Sequence, residues 1–516
     1  MLKKKFPTWL DNAVFYEIYP QSFKDTNGDG IGDLAGIIEK LDYIKELGFT
    51  AIWINPCFDS PFGDAGYDVS DYYKIAPRYG TNEDMRKLLN EAHKRNMHIL
   101  LDLVPGHTSI EHKWFKESVK AEKNEYTDRY IWTDTVWNKP KGYSCLRGIS
   151  DRDGSVAVNF FSHQPALNYG YYKKDPDEPW RQSIEDEGPQ NTIKAMMDVM
   201  RFWLTMGCDG FRVDMASSLV KDDEDSIGTT KIWKKIRKFL DEEFPEAVLI
   251  AEWGEPSKSI PAGFHMDFLL QFNSSHYNDL FRCEKPFFAG NGDVYEFVSK
   301  YKENYKKTYK KGLMCIPSGN HDIERLSKTI KGKKLHIAYG FILSMPGAPY
   351  IYYGDEIGMR YIEGLKSVEG GFKRTGTRSP MQWDNSLNAG FSTANKELLY
   401  VPVDENENRP NVKEQIADES SLLNEIKRLI AFRKEHTCLQ SKGDIEFVYA
   451  KKNEYPLAYI RKDENEKLFV IVNPSDREIE LSLDLQIKEK LYLIGTSSID
   501  KNKIKIGKES YVVYEL

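Results

Sequence analysis

Short apolar runs rich in β-branched residues return along most of this chain, each followed by a stretch with apolar residues at helical spacing. No other feature restricts the fold as much. A strand, a crossover helix and a further strand make a parallel sheet with its helices outside. Residues 13–19 (Ala-Val-Phe-Tyr-Glu-Ile-Tyr) read as the first strand. Over 33–47, Leu34, Ile37, Ile38, Leu41, Ile44 and Leu47 form one helical stripe that Gly48 closes. Residues 50–55 give a second strand, 82–96 a helix and 98–104 a third strand.

The rhythm lapses from 105 to 176, a stretch too long to be a plain loop, and therefore expected to be an inserted domain. It resumes with helices at 191–206 and 230–244 and with strands at 210–214, 247–252, 263–268, 313–317 and 348–353. Eight strand candidates of this kind fit an α/β fold, a (β/α)8 TIM barrel built from 1–104 and 177–440; a doubly wound open sheet is the main rival. A second irregular segment at about 355–418 belongs to the barrel domain as a subdomain, and helix 421–436 follows it. From 441 to 516, strands such as Phe469-Val-Ile-Val472 alternate with polar turns, which predicts a C-terminal antiparallel β-sandwich.

The net charge of -7 over 516 residues lacks the concentrated basic footprint of a nucleic-acid binder. No apolar run is long enough to span a membrane, and no apolar leader opens the chain. Six widely spaced cysteines form neither a zinc framework nor a disulfide scaffold. The expectation is a cytoplasmic monomer or weak homo-oligomer with a small-molecule substrate, no nucleic-acid partner and no membrane partner.

Barrel enzymes carry their chemistry at the C-terminal ends of the strands. Asp102 and His107 follow the third strand, Arg212 and Asp214 share one face of the fourth, Glu252 ends the fifth, and Asn320, His321 and Asp322 follow the seventh. Any one of these could cap a helix. Several carboxylates, two histidines and an arginine converging on one rim suit glycoside cleavage, which needs one carboxylate ionised and one protonated. Arg212 is expected to hold Asp214 ionised, and crowding to raise the pKa of Glu252.

The segments Leu101-Asp-Leu-Val-Pro-Gly-His107, Gly210-Phe-Arg-Val-Asp214, Ala251-Glu-Trp253 and Ser318-Gly-Asn-His-Asp322 resemble, in order and spacing, the four signature regions of the α-amylase family, glycoside hydrolase family 13. The resemblance implies Asp214 as nucleophile, Glu252 as general acid/base and Asp322 as transition-state stabiliser. It implies that Arg212 orients the nucleophile, that His107 and His321 bind sugar hydroxyls, and that Tyr67 and Asp68 are the family's stacking Tyr and the Asp after it. Gly106 stands where the family usually has the Asn that ligates a structural calcium.

A different cation loop is present. Asp25, Asn27, Asp29, Ile31 and Asp33 offer oxygen donors around Gly30, as in loops that wrap a hard cation. This loop resembles the first-loop cation site of the oligo-1,6-glucosidase branch, which implies structural Ca²⁺ or Mg²⁺. Gln164-Pro-Ala-Leu-Asn168 and Arg378-Ser-Pro-Met-Gln-Trp383 are similar to two further signatures of that branch, with Ala166 replacing an Asp. There, a paired Asp and Arg close the nonreducing end of the pocket, and the match implies Asp68 with Arg378. Met215 follows the nucleophile where α-1,6-specific members carry Val and α-1,4-specific ones Thr or Ala, so the linkage stays open. The expected activity is a retaining α-glucosidase or oligosaccharide-acting α-amylase. A glucosyl-transferring or isomerising relative is the alternative, and a non-catalytic interaction module a remote one.

Overall fold

The computed structural model describes residues 6–272, 275–500 and 503–516. Its centre is a sheet of eight parallel strands: β1 (Phe15–Ile18), β2 (Ala51–Ile54), β3 (His98–Leu103), β4 (Gly210–Val213), β5 (Val248–Ala251), β6 (Met266–Phe268), β7 (Leu313–Cys315) and β8 (Tyr350–Tyr352). β1 pairs with both β2 and β8, and a bridge from Pro317 to Tyr350 joins β7 to β8, so the sheet closes as a barrel. An open doubly wound sheet is thereby excluded.

Two-residue periodicity sorts the strand side chains. Tyr16, Ile52, Leu101, Phe211, Val213 and Leu249 face the surrounding helices, whereas Phe15, Ala51, Trp53, Leu100, Val248, Ile250, Met266 and Phe268 fill the barrel floor. Two steps further along the same inward faces lie Glu17, Asn55, Asp102, Asp214 and Glu252. The floor is therefore apolar and the C-terminal mouth polar. Asp267 falls between two inward residues and faces outward, where it accepts from Ser259 Oγ at 2.7 Å and from the amides of Trp253 and Gly254. Its task is structural.

The helix expected over 33–47 is instead two helices, Leu34–Glu39 and Leu41–Leu47, because the chain leaves helical geometry at Lys40 (φ −101°, ψ 5°). Asp33 caps the first through Gly36 N, and Gly48, left-handed at φ 102°, ends the second. Between β3 and β4 the inserted segment holds a six-residue helix, Lys113–Ser118, and one short hairpin, Cys145–Arg147 with Ser155–Ala157, joined by bridges and turns. The 355–418 segment consists of short 3-10 turns and one six-residue helix, Val412–Ala417.

The C-terminal strands form a five-stranded and a three-stranded antiparallel sheet. Ala458, Ile460, Phe469, Ile471 and Val512 face the smaller sheet's Leu481, Ile504 and Ile506. Tyr459, Val470, Tyr511 and Val513 on the opposite face join the main core against the barrel helices.

Candidate active site

Arg212 organises the mouth. Its buried guanidinium reaches Asp102 Oδ1 at 2.8 Å, Asp214 Oδ1 at 2.9 Å and Glu252 Oε2 at 3.0 Å. The residue lies over the ring of Trp53, 5.0 Å from its centroid. One cation thus holds three strand-end carboxyl groups, and removing it would leave the buried anions among them uncompensated. The amide of Met215 donates to Glu252 Oε2 at 2.9 Å, and Glu252 shares the Arg212 guanidinium with Asp214. Met215 carries this amide in a left-handed turn, φ 44°.

Burial pushes Glu252 up to about 8; Arg212 opposes the shift and Asp214 adds to it. Burial also pushes Asp214 up to about 7, with Arg212 only partly opposing. Desolvation thus outweighs the ion pair in the Asp214 pKa, although Arg212 still favours its ionised form, as expected. The two groups titrate as a pair whose single proton rests on Glu252. Asp322 takes the opposite course: burial raises it, but His321, Arg378, Arg374 and Arg212 together hold it well below the ordinary carboxylate range.

His321 is fully buried and stacks on the Tyr67 ring at 5.5 Å, with Tyr67 Oη 2.7 Å from Nε2 and Glu17 Oε1 2.9 Å from Nδ1. Asn55 Nδ2 lies 3.0 Å from that same Nδ1. Burial lowers His321 and His107 alike to about 3, so both are neutral at pH 7. His107 Nε2 faces Tyr67 O at 3.2 Å, and Nδ1 lies 3.3 Å from Asn159 Nδ2.

The space beside Gly106 is occupied by protein. Asn159 Nδ2 donates to Gly106 O at 2.9 Å, and its Oδ1 accepts from the buried Lys221 ammonium at 3.0 Å. Lys221 fixes the inserted segment to the β4 loop, and burial lowers its pKa to about 8.

Asp68 and Arg378 do not pair. Asp68 folds back to accept from Gly63 N at 2.8 Å, Asp64 N at 3.0 Å and Ser60 Oγ at 3.0 Å. Arg378 donates to Asp322 Oδ1 at 3.0 Å and His321 O at 2.8 Å. The pair that joins the two loops is Asp64 with Arg374, 3.2 Å apart, and Arg374 also reaches Asp322 Oδ1 at 3.0 Å. Gln164 Nε2 holds the other oxygen of Asp64 at 2.8 Å. Ala166 of the same segment is buried and bridges the His107 backbone. Sequence reasoning missed Glu17, Asn55, Asp64, Lys221 and Arg374. The first two were discoverable as polar residues on the inward period of strands that are otherwise apolar.

In the 25–33 loop, Asp25 accepts from the amides of Asn27, Gly28 and Gly30, Asn27 from Asp29 N, and Asp29 from Ile31 N. Asp33 accepts from Thr26 and Gly36. Among the described residues, no three His, Cys, Asp or Glu side chains converge as a metal cluster.

The family model for the α-amylase catalytic domain matches residues 17–442. The chain belongs to the α-amylase family. It is 33% identical to the trehalose synthase/amylase TreS of Mycobacterium tuberculosis, over 93% of this chain and 84% of the relative. It is equally 33% identical to a glucan 1,6-alpha-glucosidase of Streptococcus pneumoniae (94% and 94%) and to an oligo-1,6-glucosidase of Bacillus cereus (96% and 97%). The crystal structure of the trehalulose synthase MutB from Pseudomonas mesoacidophila superposes with a TM-score of 0.82 at 25% identity, covering 98% of this chain and 99% of that one. This α-amylase family member is a glycoside hydrolase acting on a small carbohydrate, and among its described residues no helix is long and apolar enough to cross a membrane.

Proposed function

We propose that this enzyme is a retaining α-glucosidase acting on short α-glucosides by double displacement. The observation that carries the reading is the Arg212 clamp, which holds Asp214 Oδ1 at 2.9 Å and Glu252 Oε2 at 3.0 Å on one guanidinium. Close approach suits a carboxylate that attacks the anomeric carbon itself; inverting enzymes keep the pair further apart to admit a water. Asp214 attacks, Glu252 gives its proton to the leaving oxygen, and the β-linked glucosyl–Asp214 ester forms as the glycosidic bond breaks. Glu252, now ionised, takes a proton from water, which opens the ester and restores both groups. Asp322, held ionised by two arginines, faces the positive charge that develops on the sugar ring.

Activity then requires Glu252 protonated and Asp214 ionised. The kcat/KM profile should fall as pH drops below about 7 and fall again as it rises above about 8. A plateau running down to pH 4 would remove this assignment of protons.

The Asp64–Arg374 pair, anchored by Gln164, supports a pocket closed at one end and short substrates. Asp64→Asn should raise KM for disaccharides by about tenfold, the effect of one lost charged hydrogen bond. Hydrolysis of maltohexaose relative to maltose should rise, as measured by initial rates on both.

The relatives named as trehalose synthase and trehalulose synthase favour a second reading, transfer of the glucosyl group to a sugar. Incubation with maltose, isomaltose, sucrose and trehalose separates the two. Free glucose supports hydrolysis, whereas new disaccharides support transfer, with the same ester intermediate in both.

The 25–33 loop supports a structural Ca²⁺ or Mg²⁺, with Asp25, Asn27, Asp29, Asp33 and the Ile31 carbonyl as the donor set. Asn27 Oδ1 and Asp29 Oδ1 each accept one loop amide and keep a second lone pair for the cation, whereas the oxygens of Asp25 and Asp33 each accept two bonds and would exchange one of them for it. Saturating Ca²⁺ should raise the unfolding midpoint by a few degrees, and Asp29→Ala should abolish the rise. A cytoplasmic location draws support from six cysteines that all stand as free thiols.

A further inference from the structure

A cavity of about 230 Å³ opens at the opposite end of the barrel from the active site, where the N-terminal end of β7 meets helix Tyr295–Thr308 and the start of the C-terminal domain. Phe6, Leu313, Met314, Pro346, Tyr301 and Tyr305 form most of its wall. The wall is chiefly apolar, and the space exceeds the cavity of about 150 Å³ that takes up benzene in an engineered core. A single aromatic ring with a short side chain fits it.

Three further observations give the space a polarity. Tyr301 is 1% exposed, and its hydroxyl has no hydrogen-bond partner, which is costly in a finished core. Behind the wall, the buried guanidiniums of Arg433 and Arg461 meet backbone carbonyls, among them Gly347 O and Gly443 O, and pair with no carboxylate among the described residues. Burial and the nearby Arg461 lower the Arg433 pKa to about 9. At the mouth lie Lys310, Lys311 and Lys442. Two anions stand nearby: Asp11 pairs with Lys442, and Asp444 accepts from the Tyr305 and Tyr309 hydroxyls. The cavity therefore combines an apolar interior with a positive surround and one unused buried donor.

We propose that this cavity binds a small amphipathic carboxylate, an apolar body of about one aromatic ring bearing an anionic head, at a site separate from catalysis. The apolar body fills the wall of Phe6, Leu313 and Met314. The head accepts from the Tyr301 hydroxyl and is drawn by the lysines and guanidiniums around it. Carbohydrate is disfavoured, since an apolar wall with one free donor would strip several sugar hydroxyls of water without replacing their bonds.

The test is calorimetric titration of the full chain with 3-phenylpropionate, its neutral counterpart 3-phenylpropanol, and glucose. The acid should bind about tenfold or more tightly than the alcohol, the difference expected of one charge-assisted hydrogen bond. Tyr301→Phe should bring the acid close to the alcohol. Leu313→Trp should abolish binding by filling the space. Should Leu313→Trp fail to fold, Lys310→Glu with Lys311→Glu at the exposed mouth should still weaken the acid selectively. Equal binding of acid and alcohol, preference for glucose, no binding of any probe, or acid binding untouched by Tyr301→Phe would each overturn the proposal.

Discussion

Asp214→Asn is expected to lower kcat by about ten-thousand-fold or more while leaving the fold in place, because the amide cannot form the glucosyl ester. Asn keeps the size of Asp214 and still offers an oxygen to Arg212, whose other two partners, Asp102 and Glu252, remain. One buried anion is removed from a crowded set of three carboxyl groups, so thermal stability should change little or rise. Initial rates on maltose and isomaltose, with circular dichroism on the same sample, check both halves. Residual turnover within tenfold of the parent would remove Asp214 from the reaction.

Glu252→Gln should be nearly as damaging on a natural disaccharide, by about a hundred- to ten-thousand-fold, the span usual for loss of a general acid. Its signature differs. A substrate with a good leaving group, such as 4-nitrophenyl α-glucoside, needs no proton for the first step, so the ester should form and accumulate. Azide needs no general base, and adding it should restore turnover and yield α-glucosyl azide. Neither effect is expected for Asp214→Asn. The alkaline limb of the pH profile should also vanish, since that limb belongs to the Glu252 proton.

The barrel and its polar rim could be read from sequence because strand periodicity is two. Once 210–214 is a strand, Arg212 and Asp214 share a face with no further information, and the same logic aligns Glu252 behind Ile250. The loops obey no such period. Asp64 and Asp68 lie four apart in one loop, and Arg374 and Arg378 four apart in another, so sequence offers several pairings with equal local sense. What decides is the turn at 60–68: Asp68 turns inward to satisfy Gly63 N and Asp64 N, leaving Asp64 to face Arg374. The upward push on the Asp214 pKa was not legible for a related reason. The ion pair is visible as a motif, whereas the depth of burial that outweighs it depends on the entire fold.

Lys221 shows the same limit from the other side. Its approach to Asn159 needs the inserted segment folded over the β4 loop, and no local signal announces that. Gly106 alone told only that the usual side chain was missing. Its surroundings show that an ammonium and an amide join the two parts instead.

The most direct measurement is covalent capture of the intermediate with 5-fluoro-α-glucosyl fluoride, which forms the ester readily and hydrolyses slowly. Proteolysis and mass spectrometry should then find one fluoroglucosyl group on the peptide containing Asp214, and proton NMR of natural hydrolysis should show the α-anomer of glucose released first. A label on Glu252 or Asp322, or initial release of the β-anomer, would contradict double displacement at Asp214.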